Sequence, residues 1–91
     1  MYSDIAVGMV NYGSDAPANG KSITDKKVTF DKPFSSIPYV VVSINSTTIN
    51  PNYGSLLAFV ADVSETGFRL RVANSTNEIL YPGVYWVAIA K

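Results

Sequence analysis

The stretch Tyr39-Val40-Val41-Val42-Ser43-Ile44 is apolar and largely β-branched apart from Ser43; it opens directly after Pro38 and fades into the polar residues 45–53. Side chains of this kind pack well on a pleated surface, so the segment reads as a central β-strand. Downstream, residues 56–63 form a further strand. Ser64-Glu65-Thr66-Gly67 is a tight hairpin connection to the next strand, residues 68–72. Turns follow at 74–77 and at Pro82-Gly83, and residues 84–90 make a last strand carrying Trp86. Upstream, Val28 and Phe30 alternate with Lys27, Thr29 and Asp31 in a strand that Pro33 closes, because proline cannot donate to a ladder. Residues 11–20, rich in Gly, Asn, Ser, Asp and Pro, form a long loop after a first short apolar strand at 5–10. No stretch sustains a helical i, i+3, i+4, i+7 pattern for three turns. The fold class is all-β, and about six strands at this spacing predict a small antiparallel β-sandwich.

The strands differ by face. Phe68, Leu70 and Val72 oppose Arg69 and Arg71, which gives the fifth strand one buried and one wet side. The third and sixth strands lack a wet side. Val40, Val42 and Ile44 lie opposite Tyr39 and Val41, and Val84, Trp86, Ala88 and Ala90 lie opposite Tyr85, Val87 and Ile89. A two-layer sandwich covers only one face of each sheet, so the second apolar face needs a cover. Either the loop at 11–20 supplies it or another copy of the chain does, with Tyr39, Val41, Tyr85, Val87 and Ile89 as the interface. Size favours the oligomer, since a domain this short buries only about 60–65% of its unfolded surface by itself.

The 91 residues are room for one domain, 1–91, and 47% hydrophobic against 15% charged residues is the composition of a folding chain rather than a disordered one. Seven basic residues balance seven acidic ones, so nothing steers the chain to nucleic acid or to an anionic membrane. There is no Cys and no His, which removes disulfides, zinc sites, thiol nucleophiles and the imidazole base together. No apolar run approaches the ~20 residues of a membrane span, and the N-terminus lacks the pattern of a signal peptide. Of the seven carboxylates only Asp62 and Glu65 are close, and both flank a turn where they serve as solvated turn formers. No phosphate loop, calcium loop or nucleophile elbow is present, so the expectation is a protein without catalysis, metal or cofactor.

Lys27-Val28-Thr29-Phe30, Pro33-Phe34, Pro38, the third strand, Thr66-Gly67-Phe68 and Trp86-Val87-Ala88-Ile89, in this order, resemble the H-type lectin domain family. The resemblance covers residues 27–90. It implies a six-stranded antiparallel sandwich, a homotrimer, and binding of N-acetylgalactosamine between protomers; similar domains occur in invertebrate agglutinins, discoidin-type lectins and bacteriophage tail proteins. Position by position, the family's acidic residue before the Val-Thr-Phe strand falls at Asn19, its arginine at Ser55, and its aromatic-histidine pair at Ser75 and Thr76. Its tyrosine before the last strand falls at Leu80 or, with one gap, at Tyr81.

Tyr12, Tyr53 and Tyr81 stand beside asparagines in polar stretches, and a flat ring next to amide donors suits a sugar. Each ring could equally plug an end of the sandwich. Trp86, mid-strand among apolar residues, belongs to the core, and Arg69 and Arg71 are expected to pair with Asp62 across the hairpin. The two Asn-Ser-Thr triplets, at 45–47 and 74–76, read as polar loop sequence. The expected carbohydrate-binding residues are therefore Asn19, Tyr81, Ser55, Ser75 and Tyr53. The expected partner is a host or cell-surface glycan, bound weakly by a homotrimer on a phage tail or another extracellular particle. The alternative from another class is a trimerisation or decoration domain of a virion that binds no sugar.

Overall fold

In the computed structural model, residues 5–12, 22–45, 54–75, 80 and 82–91 are described. Six strands run β1 (Ile5–Asn11), β2 (Ser22–Thr29), β3 (Tyr39–Asn45), β4 (Leu56–Ala61), β5 (Gly67–Asn74) and β6 (Gly83–Ile89). They form two three-stranded sheets, β1-β6-β3 and β2-β5-β4, with every pairing antiparallel.

Between the sheets lies a core of Phe68, Leu70 and Val72 from β5, Val84, Trp86 and Ala88 from β6, and Tyr12, Phe30, Phe34, Leu56 and Leu80. The period-2 alternation of β5 and β6 places these residues on inner faces, and their burial is the main favourable term in a chain of this size. Trp86 is a core residue, 8% exposed, and lies flat against β1 where its partner in register is Gly8. A Cβ at Gly8 would stand 2.6 Å from the indole, so the glycine makes room for the ring.

Four departures from the expected strand limits bear on the packing. β2 starts at Ser22, five residues before Lys27, because Thr24 and Lys26 hold the inward positions there and leave no apolar alternation to read. β4 stops at Ala61 rather than Val63, since Asp62 adopts φ 54° and turns the chain out of the ladder. β5 runs on to Asn74, which is fully buried. Gly83 belongs to β6 rather than to a turn, paired on both sides with Asn11 and Asn45.

The hairpin tip ties the two sheets' motifs together. Ser64 N–H donates to the Gly67 carbonyl at 2.8 Å, while Ser64 Oγ accepts from the amides of Thr66 (3.2 Å) and Gly67 (3.3 Å). The carbonyls of Thr66 and Glu65 then accept from the amides of Phe30 and Phe34, both at 2.9 Å. Gly67 is required here, as a Cβ would approach the Val28 carbonyl oxygen to 2.1 Å.

Candidate functional site

The sandwich has two ends. At one, β2, β4 and β6 begin, at Ser22, Leu56 and Gly83; at the other stand the β4–β5 hairpin and the turn at 30–34. The register pairs Asn74 with both Ser22 and Leu56, so Ser55, one residue before β4, and Ser75, one residue after β5, flank the same end. Both are exposed. Short hydroxyls stand where a charged donor and an aromatic surface would give a sugar most of its grip. Asn19, Tyr53 and Tyr81 lie outside the described residues, as does Thr76.

Tyr12 is not a loop residue open to ligand. It is 1% exposed, its amide donates to the Pro82 carbonyl at 3.0 Å, and its hydroxyl donates to the Leu70 carbonyl at 2.8 Å. The backbone bond continues the β1–β6 ladder by one step and swings the ring inward between the sheets. Lys26 Nζ stands 5.6 Å from the ring centroid. Burial, and secondarily the negative charge of Asp25, push the phenol up to about 12.

Arg69 and Arg71 pair with Asp25 rather than Asp62. Asp25 Oδ2 accepts from Arg69 Nη1 at 3.0 Å and Oδ1 from Arg71 Nε at 3.4 Å. Asp25 lies directly opposite Arg71 in the β2–β5 register, whereas the last rung of the β4–β5 ladder pairs Ala61 with Arg69 and leaves Asp62 beyond it.

The outer face of β1-β6-β3 is built from cross-strand rows. Ile5, Ile89 and Tyr39 form one, Val7, Val87 and Val41 the next, and Met9, Tyr85 and Ser43 the third. Apart from Ser43 every one is apolar or aromatic, and most are widely exposed: Val7 is 68% accessible, Val41 61% and Tyr39 60%. Tyr39, Val41, Tyr85, Val87 and Ile89, expected as an interface, thus share one surface. Ile5, Val7 and Met9 of β1, in the run read as a short apolar strand, extend it because β1 pairs with β6 at the sheet edge.

The motifs that carried the family resemblance converge at the hairpin end. Phe30 stacks edge-on to Phe34 at 5.0 Å between centroids and lies 5.9 Å from Phe68 and 5.7 Å from Trp86; Phe68 and Trp86 meet edge-on at 5.4 Å. Val-Thr-Phe, Pro-Phe, Thr-Gly-Phe and Trp-Val-Ala therefore specify the packing of the sandwich, far from Ser55 and Ser75. The H-type lectin domain model matches residues 25–89, about seven-tenths of the chain, from within β2 to the end of β6. The chain belongs to the H-type lectin domain family.

This H-type lectin domain matches no curated protein significantly. Among solved structures it is similar to the N-truncated R1-type pyocin tail fibre (19% identity, TM-score 0.72), covering 96% of this chain and 70% of that one. It is also similar to a C-terminal portion of the R1 pyocin fibre of P. aeruginosa (19%, TM-score 0.73) and to the tailspike gp61 of Pseudomonas phage phi297 (19%, TM-score 0.64). Each of these alignments again covers 96% of the lectin domain, but it spans only 23% and 15% of the two longer chains. At this identity the shared property is the fold.

Proposed function

We propose that the domain is a non-catalytic carbohydrate- or receptor-binding module of a phage-tail type particle, working as a homotrimer without metal or cofactor. The observation that carries this reading is the outer face of β1-β6-β3, three strands wide, with Ile5, Val7, Met9, Tyr39, Val41, Tyr85 and Ile89 exposed on one surface. A face of that kind calls for a protein cover, and a second and third copy of the same chain provide one. Membership of a lectin family and the fold shared with tail fibres and a tailspike support glycan attachment and a virion setting.

In this reading Asn19 offers hydrogen bonds and Tyr81 a stacking surface, with Tyr53 as a further ring beside the exposed Ser55 and Ser75 as polar contacts. With serines in place of the family's arginine and aromatic-histidine pair, a monosaccharide binds in the millimolar range, and attachment depends on several sites acting together. The same serines favour a second reading, a trimerisation or decoration domain that binds no sugar. A glycan array probed with the assembled protein separates the two. Binding that weakens in Asn19→Ala, Tyr81→Ala supports the first, and no binding to any glycan by an intact trimer establishes the second.

A further inference from the structure

A second cleft lies at the opposite end of the sandwich, along the open side between β1 and the segment that follows β2. It has a volume of about 440 Å³ and is lined by Thr29, Asp31, Lys32, Trp86 and the β1 backbone at Ile5–Val7. Three features make it more than a gap between sheets. First, Trp86 is more than nine-tenths buried, yet among the described residues its indole N–H donates to no group, and no described side-chain nitrogen is both sealed from solvent and unpaired. The N–H is therefore an accessible, unsatisfied donor on an otherwise buried ring, and Trp86 lines this cleft. Second, among the described residues Asp31 and Lys32 make no ion pair or hydrogen bond, so an acceptor and a donor of opposite charge stand ready at the rim. Third, β1 is the edge of its sheet, and an edge strand turns alternate amides and carbonyls outward.

We infer that this cleft is a second binding site, for a neutral mono- or disaccharide, independent of Asn19 and Tyr81. The paired charges of Asp31 and Lys32 cancel, which selects against phosphate and other strongly charged ligands. A sugar ring presents vicinal hydroxyls that donate and accept in turn, and the cleft offers both kinds: Asp31 accepts, Lys32 and Trp86 donate, and Thr29 does either. Ala6 and the edge of the indole give the apolar patch that a ring's C–H face requires. The volume suits a ligand of that size. The cleft opens beside Ile5 and Val7 of the apolar face, so a trimer would carry three such sites along its subunit margins and multiply weak contacts.

Trp86 is the single tryptophan, so its fluorescence and its indole N–H resonance report on this cleft alone. The full chain is titrated separately with D-glucose, D-galactose, N-acetylglucosamine and N-acetylgalactosamine to about 100 mM, a range that covers millimolar dissociation constants. The expected result is a saturable change in both signals with at least one of them, weakened about tenfold in Asp31→Ala and in Lys32→Ala. Both residues are exposed and unpaired, so these variants keep the fold. A flat response with all four sugars, or a response that survives both substitutions, overturns the inference. Glycan-array binding lost in Asn19→Ala, Tyr81→Ala but kept in the Asp31 and Lys32 variants would leave the proposed function standing while removing this site. A tryptophan response from a protein that neither trimerises nor binds the array would do the reverse.

Discussion

The two sheets each have three strands and share one core, yet their outer faces differ in charge. On β1-β6-β3 the rows Ile5–Ile89–Tyr39 and Val7–Val87–Val41 carry no charge, while on β2-β5-β4 the middle rows carry Asp25, Arg71, Lys27 and Arg69 beside Phe59 and Ala61, next to the apolar row Ile23–Ala73–Leu57. A charged row is content in water, and Asp25 bridges both arginines there; an apolar sheet face of three strands is not. The asymmetry places the charged rows on one side of the sandwich and uncharged rows on the other.

The largest expected effect comes from putting a charge into the apolar face. Val87 is the centre of its row, and Val87→Asp would place a carboxylate in every copy of a buried interface, costing several kcal/mol per site. Light scattering should show assembly lost in this variant and kept in Lys27→Asp on the other sheet; a parent particle of 9.8 kDa would end the argument for an oligomer. The interior comes next. Trp86→Ala removes the ring that Gly8, Phe30 and Phe68 enclose and should cost about 3–5 kcal/mol, read as a fall in the denaturation midpoint. If that variant unfolded with the parent, the inward assignment of β6 would be wrong.

A smaller effect distinguishes interior from surface through pH. The Tyr12 phenol ionises near 10 in the unfolded chain and near 12 in the folded one, so the neutral form, which donates to Leu70, is the one that the fold holds. Its contribution is complete below pH 10 and is lost as pH rises to 12, by at most about 2–3 kcal/mol. Urea titrations at pH 9, 10, 11 and 12 should show that loss in the parent and its absence in Tyr12→Phe. The smallest effect belongs to the charged face. Asp25→Asn breaks two half-exposed ion pairs and should cost about 0–1 kcal/mol, while moving the Tyr12 titration downward because a raising charge is gone. A cost as large as that of Trp86→Ala would mean that the charged face is buried against a partner after all.

What could be read from the sequence follows from what local pattern encodes. β3 and β6 were legible because apolar and β-branched runs bounded by proline have few other outcomes. The first half of β2 was not, since Ser22, Thr24 and Lys26 carry no apolar alternation and become a strand only through pairing with β5. Asp62 was nearer than Asp25 to Arg69 in the chain, but strand register rather than chain distance chose Asp25. Tyr12 looked like a loop ring until one backbone bond to Pro82 turned it inward. Ser55 and Ser75 flank the same end of the sandwich through the register of β4 and β5, whereas the cleft beside Trp86 joins residues from three distant segments and leaves no motif to find.

By itself, the sequence determined the all-β class, the inward stripes of β5 and β6, the doubled apolar faces of β3 and β6, and the family. All of these rest on period-2 alternation and on short motifs whose aromatic and glycine residues have one packing role each. Only the tertiary structure decided which strands neighbour one another, and with that the β1 rows that widen the apolar face, the Asp25 bridge and the exposed indole donor. Such features depend on non-local register, which pairs residues forty or more positions apart and is set by how two sheets close on a shared core rather than by any neighbour in the chain.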